Sequence, residues 1–349
     1  MPVTTTRRGI GCFFGDFILT LNNGNGFISS ITPRPESVKA LAEGDGLMRL
    51  MVTGASGFIG SALCARLLEQ GHSLTLFTRG SPRDAGSATK RWLHWTPGIL
   101  REWKSALDGV DGVINLAGEP IAEKKWSAIQ RRRIETSRID STNSLVQAIA
   151  EAKQKPQFFI SASAIGYYGP RSDETITEEA PPGDDFLSVL CRDWEEEAKK
   201  AEELGLRVVR LRTGIVLGSG GGALKKMVAP FKFFIGGQLG SGKQWMSWIH
   251  LEDHVRLTIE LMNNLQASGP INATAPNPVP NKEFCQTLAK VMHRPCWATV
   301  PAFALRLALG EMADMLLTGQ RVVPAAAEKL GFQFRYPKLE EALEACKPF

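Results

Sequence analysis

The chain has 349 residues, 43% of them hydrophobic and 22% charged, with a net charge of +5 at pH 7. That balance excludes an intrinsically disordered or low-complexity chain, which lacks the apolar residues to build a core. No apolar run is long enough to cross a membrane, and the most apolar early stretch is broken by Asp16, so neither a membrane nor a secretory signal is expected.

Residues 1–47 read as a tail outside the fold. They contain Thr4-Thr5-Thr6-Arg7-Arg8, Asn22-Asn23-Gly24-Asn25-Gly26 and Pro33-Arg34-Pro35, without strand or helix periodicity. Either Met48 is the true start, or the segment is a transit peptide. The first implies a cytoplasmic protein and the second an organelle such as a plastid. Cys12, Cys64, Cys191, Cys285, Cys296 and Cys346 form no C-x-x-C pair, which points to a reducing compartment and no bound metal.

The apolar run Leu50-Met51-Val52 leads into Thr53-Gly54-Ala55-Ser56-Gly57-Phe58-Ile59-Gly60. This is a strand turning sharply into a helix, with glycine at three positions where a side chain obstructs a dinucleotide's pyrophosphate. Gly54 allows the turn, Gly57 the approach of the phosphates, and Gly60 the packing of helix on strand. The following helix carries Ile59, Leu63, Leu67 and Leu68 on an amphipathic pattern. A second strand, Leu74 to Phe77, ends in Thr78-Arg79-Gly80-Ser81, where an acidic residue would bind a ribose 2′-hydroxyl. Arg79 instead suits a 2′-phosphate, so NADP(H) is the expected cofactor.

Strand-like runs follow at Val113–Leu116, Phe158–Ser161 and Val208–Leu211. They alternate with helices over Trp126 to Ala150 and Phe186 to Glu203. This pattern predicts an α/β fold with a doubly wound parallel Rossmann-type sheet and a small mixed substrate and C-terminal region. The cofactor domain spans 48–225, with 245–275 returning to it; residues 226–244 and 276–349 form the remainder. A basic cluster (Lys124, Lys125, Arg131, Arg132, Arg133, Arg138) has no accompanying nucleic-acid motif. It reads as a solvated helix face, with one arginine near an anionic ligand.

The glycine turn resembles that of the extended short-chain dehydrogenase/reductases and sugar-nucleotide epimerases. Four further motifs are similar to an atypical branch called "epimerase family protein", sometimes "cell division inhibitor", which carries a C-terminal domain of unknown function. They are Asn115-Leu116-Ala117-Gly118-Glu119-Pro120, Ser161-Ala162-Ser163-Ala164-Ile165-Gly166-Tyr167-Tyr168-Gly169, Arg212-Thr213-Gly214-Ile215-Val216-Leu217-Gly218 and Trp248-Ile249-His250-Leu251-Glu252-Asp253. The resemblance covers roughly 48–345. It implies NADP(H) over Gly54, Ser56, Gly57, Phe58, Ile59 and Gly60, with Arg79 at the adenosine phosphate. Leu116, Ala117 and Gly118 then line the adenine-ribose side, and Ser161, Ala162 and Ser163 lie near the nicotinamide.

In ordinary members a serine polarises the substrate oxygen and a Tyr-x-x-x-Lys pair moves the proton. Ser163 matches the serine. The chain has only 3 tyrosines (Tyr167, Tyr168, Tyr336), none followed by lysine four places on. Aligned by Glu195, the two places are held by Leu187 and Cys191, so the usual proton transfer is missing. Two accounts stay open. In one, an oxidoreductase or epimerase-like protein acts on a small carbonyl/hydroxyl or nucleotide-sugar-like substrate, with Tyr167 or Tyr168 as the acid beside Ser163. In the other, NADP(H) is bound without turnover, as a redox sensor or a regulator of cell or plastid division.

The glycine-rich segments 218–224 and 236–245 are candidate lids over a small-molecule substrate, with Trp245 and Trp248 as pocket walls. His250 and Asp253 read as a structural turn. Over Phe303 to Leu317 an apolar stripe (Phe303, Leu307, Met312, Leu316) reads as buried within the chain, with a pocket cover or homodimer face as alternatives. The protein is expected to be a monomer or homodimer.

Overall fold

The computed structural model describes residues 46–80 and 86–349, with the backbone alone of 4–6, 9–14, 17–21 and 28–33. The chain divides into two compact units, Met1–Met48 and Arg49–Phe349. In the first, Thr4–Thr6, Gly9–Phe14, Phe17–Leu21 and Ile28–Pro33 pair in order as an antiparallel four-stranded sheet. This corrects the expectation of a segment without strands. The signal lay in composition rather than alternation: segments 9–14 and 17–21 are rich in aromatic and β-branched residues. The rest of the reading of residues 1–47 falls outside the described residues.

The second unit is built on seven parallel strands: β1 (Arg49–Thr53), β2 (Ser73–Thr78), β3 (Lys90–His94), β4 (Gly112–Asn115), β5 (Phe158–Ala164), β6 (Arg207–Thr213) and β7 (Gly269–Ala273). Their order across the sheet is β7-β6-β5-β4-β1-β2-β3. Winding reverses between β1 and β4, which opens a crevice at the carboxyl ends of those strands. The central strands are covered on both faces, and β4 is buried throughout, as expected of apolar runs in a parallel sheet. The sequence reading did not register β3. Lys90-Arg91-Trp92-Leu93-His94 lies at the sheet edge, where charge discourages further pairing and masks the strand pattern.

Eight helices are used below: α1 (Phe58–Glu69), α2 (Ala128–Thr136), α3 (Ile139–Glu151), α4 (Phe186–Lys199), α5 (Gly222–Lys232), α6 (Leu251–Asn263), α7 (Asn281–Met292) and α8 (Ala302–Leu309). The helix expected over 126–150 is therefore two, broken at Ser137-Arg138. The carbonyl of Ile134, the regular acceptor for the Arg138 N–H, is taken by the Ser137 hydroxyl (2.9 Å) and by Arg138 Nη1 (3.1 Å). The Arg138 N–H turns to Glu135 O instead (3.0 Å). Side chains competing for backbone carbonyls thus end one helix and start the next.

One core (Met51, Phe77, Trp103, Val113, Leu145, Phe159, Ala198) joins the sheet to α3 and α4. Another gathers Leu224, Phe231, Trp248, Phe284 and Leu288, and is completed by Leu339, Leu343 and Cys346 near the C-terminus. Asp253 fixes that last segment: its buried carboxylate accepts the Arg335 and Tyr336 N–H groups, each at 2.8 Å. The stripe over 303–317 departs from its expected burial. Gly310 (φ +63°) ends α8, Met312 is buried, and Phe303 and Leu307 are 73% and 84% exposed.

α6 carries His254, which is fully buried; its Nε2 lies 3.1 Å from the Thr213 hydroxyl, while Nδ1 has no partner among the described residues. Burial pushes this imidazole down to about 4 from 6.5. The neutral ring is the one the fold accommodates, so its stabilising contribution is complete above pH 6.5 and is lost as pH falls from there toward 4. Urea midpoints recorded between pH 7.5 and 4.5 should fall with pH, and the His254→Phe chain should show a shallower fall. Parallel curves for the two chains count against this assignment.

Candidate functional site

The crevice floor begins at Gly54 (φ +67°), whose backbone leaves β1 in the left-handed region. A β-carbon there would strike the Leu116 carbonyl at the end of β4. At Gly60 one would strike the Gly54 carbonyl oxygen and lie 2.9 Å from Ala55 Cα. Gly57 is the N-cap of α1; its N–H donates to Gly54 O (2.9 Å), and no side chain caps the helix. Ser56 and Gly57 are exposed at the crevice, with Phe58 and Ile59 half-buried behind them. Free N–H groups at this uncapped end carry the positive pole of the helix, and no acidic residue occupies the first turn. Tight glycine packing and open N–H groups together fit a pyrophosphate, so the residues present suit a dinucleotide.

A buried hydrogen-bond net fixes the β1–β4 junction. The Thr53 hydroxyl donates to Asn115 Oδ1 (2.7 Å), and Asn115 Nδ2 donates to Thr142 (2.9 Å) and Ser161 (3.4 Å). Trp194 Nε1 also donates to Thr142, at 2.9 Å. Two rim positions, Leu116 and Ala117, are half-buried, and Gly118 is exposed. Arg79, just beyond β2, is largely exposed and faces the Glu119 carboxylate at 3.8 Å.

β5 alternates. Ser161 and Ser163 are buried, whereas Ala162 and Ala164 are partly open. The Ser163 hydroxyl donates to Glu195 Oε1 (2.7 Å). Glu195 is held in a fork by Arg212, Nε at 2.7 Å and Nη2 at 2.8 Å, with both side chains almost wholly buried. Burial opposes the Arg212 charge, but hydrogen bonds and charge from Glu195 outweigh it and hold its pKa above the ordinary value. Arg212 Nη1 also donates to the Tyr168 hydroxyl (2.9 Å), which donates to Asn272 Oδ1 (2.6 Å).

Tyr168 thus engages its hydroxyl proton inside the fold. It is wholly buried, and burial pushes its phenol up to about 12. Tyr167 is half-buried, with the Arg212 guanidinium 3.5 Å from its ring centroid. On α4, Leu187 is half-buried and Cys191 buried. Burial pushes the Cys191 thiol up to about 12, so it is neutral. Trp248 is wholly buried in the core, its indole N–H on Asn277 O (3.1 Å). Trp245 is half-buried, donates to Asp173 (2.9 Å) and lies under the Arg321 guanidinium (4.8 Å). The glycine loop expected as a lid closes on Phe58: β-carbons at Gly218, Gly221 or Gly222 would press its ring.

The basic cluster splits. Arg131 pairs with Glu311 and stacks on Phe186 (4.7 Å), whereas Arg138 turns inward. Spacing offered no hint of the Ser163–Glu195–Arg212 chain, whose members come from β5, α4 and β6. Among the described residues no cluster of His, Cys, Asp or Glu could hold a metal, and no helix is long and apolar enough to cross a membrane.

Removing one partner of the buried Arg212–Glu195 pair strands the other charge. Arg212→Met should cost about 3–5 kcal/mol in chemical denaturation, and adding Glu195→Leu should recover part of it. A double variant as unstable as the sum of the singles counts against the coupling.

The chain matches the "NAD dependent epimerase/dehydratase family" over residues 50–273, and a "Domain of unknown function (DUF1731)" over 300–346. It is 43% identical to the Arabidopsis thaliana "Epimerase family protein SDR39U1 homolog, chloroplastic", covering 85% of this chain and 86% of that one. Identity with the Bacillus subtilis "Epimerase family protein YfhF" is 41%, covering 85% and 97%. Among solved structures, human epimerase family protein SDR39U1 (isoform2), crystallised with NADPH, superposes with a TM-score of 0.78 at 33% identity, covering 86% of this chain and 99% of that one. The strand order, the glycine turn and these likenesses agree, and the chain belongs to the NAD dependent epimerase/dehydratase family, among the epimerase family proteins with the added C-terminal domain.

Proposed function

We propose that this protein binds NADP(H) across the β1–β4 crevice, pyrophosphate on the α1 N-terminus and 2′-phosphate at Arg79. The observation that carries the proposal is the uncapped, acid-free start of α1 above the Gly54–Gly60 packing. Arg79 supports the choice of phosphate-bearing cofactor, because its guanidinium is largely exposed just beyond β2, with one loose ion pair to Glu119 at 3.8 Å. The NADPH in the human relative's crystal supports the same reading.

We further propose an oxidoreductase or epimerase-like activity on a small carbonyl/hydroxyl or nucleotide-sugar-like substrate. When bound, the cofactor supplies a hydride. In this chain Ser163 would accept through a hydroxyl oxygen whose proton is held by Glu195, and Tyr167, against the Arg212 guanidinium, would give the proton. A second reading, binding without turnover, is favoured by the same bonds: Ser163 and Tyr168 both spend their hydroxyl protons inside the fold.

Isothermal titration should give a lower Kd for NADPH than for NADH. Arg79→Ala should raise the NADPH value roughly 10- to 100-fold, as expected for a lost charge-assisted contact, while leaving NADH within about twofold. Equal affinity of the unsubstituted chain for both cofactors would falsify the Arg79 assignment. For activity, NADPH oxidation across a carbonyl panel should be abolished or strongly reduced by Ser163→Ala. Tight NADPH binding with no oxidation of any substrate decides for the second reading.

A further inference from the structure

Arg131 and Arg212 are each paired with an acid, and Arg321 is not. It lies in the segment matched by the domain of unknown function, half-buried, and its Nε is buried without an acceptor. Among the described residues its guanidinium makes no hydrogen bond and no ion pair. It rests over the Trp245 ring instead, 4.8 Å from the centroid. Such a placement is costly for a cation, which has lost water on one edge and gained only a ring face in return.

The acids of the adjoining stretch are all bound elsewhere. Arg321–Val322 runs parallel to Thr175–Ile176. Just before that strand, Asp173 takes the Trp245 indole N–H (2.9 Å) and Glu174 pairs with Arg171 (3.5 Å). Just after it, Glu178 accepts the backbone N–H groups of Asn272 (2.9 Å) and Ala326 (3.2 Å). None of the three is committed to Arg321.

The segment lies beside the reacting groups already described. Gln320 Nε2 donates to the carbonyl of Ile165 (2.7 Å), the first residue after β5, and the Arg171 N–H donates to Gly319 O (3.0 Å). Ile165 opens the turn that carries Tyr167, and Ser163 is two residues back. A β-carbon at Gly319 would strike the Trp245 carbonyl, so glycine lets the segment lie against Trp245. Residues 319–321 therefore bridge from the carboxyl end of β5 to the half-buried Trp245, on the rim where open parallel sheets bind their ligands.

A guanidinium presents a planar fork of N–H donors that matches two oxygens on one atom, and Arg212 uses that fork on Glu195 in this same molecule. Carboxylate and phosphate share this shape and carry the opposite charge. A neutral carbonyl or hydroxyl offers one acceptor and leaves the cation uncompensated.

We propose that Arg321 is a substrate-binding residue, seated on Trp245, that selects substrates bearing a carboxylate or phosphate group. The segment of unknown function thereby takes part in recognition as well as in packing. The inference rests on the proposed activity and narrows its substrate class to oxyanions.

Titration calorimetry on the NADPH-saturated chain compares glucose 1-phosphate with glucose, and pyruvate with pyruvamide. At least one anion should bind about tenfold or more tighter than its neutral counterpart, and the pair that shows it assigns the group. Arg321→Met should remove that preference and Arg321→Lys should retain part of it, with NADPH affinity within about twofold in both. Thermal midpoints accompany each variant. Trp245→Leu, which removes the ring beneath the guanidinium and should also weaken the anion, serves if Arg321→Met unfolds. No preference for either anion, or a preference that survives Arg321→Met, overturns the proposal. The same titrations without NADPH separate it from the cofactor reading: an Arg321-dependent preference in a chain that binds no NADPH sinks only the cofactor.

Discussion

The Gly54 peptide is where strand, helix and neighbouring strand meet. Its carbonyl oxygen receives the Gly57 N–H and leaves no room for a β-carbon at Gly60, while a β-carbon at Gly54 itself would strike the Leu116 carbonyl of the β4 rim. A side chain at either outer glycine displaces backbone rather than a flexible group, and backbone at the sheet's centre has nowhere to go. The height and aim of the α1 N-terminus, and therefore the shape of the crevice, follow from that contact. The Thr53–Asn115–Thr142 bonds lock the same junction from below.

A different force holds the other side of the crevice. Where ordinary family members place a tyrosine and a lysine on α4, this chain keeps the helix neutral toward the cleft. The charge lies one layer deeper, in Arg212 and Glu195. A buried pair of this kind contributes little net stability but strongly penalises any arrangement that separates it. It orients Ser163 and Tyr168 at once, which favours a rigid, preorganised site over one assembled by the ligand.

Local backbone demands were legible in the sequence. The glycine turn, the parallel αβ alternation and the end of β2 at Arg79 were all read from short windows, because tight turns and buried strands restrict residues locally. What required distant residues was not legible. The break at Arg138 depends on two side chains outcompeting one backbone N–H, which no periodicity reports. The Glu195–Arg212 pair joins a helix to a strand, and Trp248 is buried in one cluster with Phe284 and Leu288 of α7 and with Leu339, Leu343 and Cys346. The Tyr168 bonds to Arg212 and Asn272 likewise join residues far apart in sequence. Phe303 and Leu307 carried a core-like stripe, but α8 turns them outward.

The Asp253 clasp and the shared second core bear on how the two family segments relate. The segment matched by the domain of unknown function supplies Leu339, Leu343 and Cys346 to a cluster that includes Trp248 and Leu224 from the epimerase segment. Arg321–Val322 also pairs in parallel with Thr175–Ile176 from the earlier segment. The junction between two recognised families is therefore not a seam in the protein. The later segment completes a core begun by the earlier one, and the two form one compact unit that carries two names.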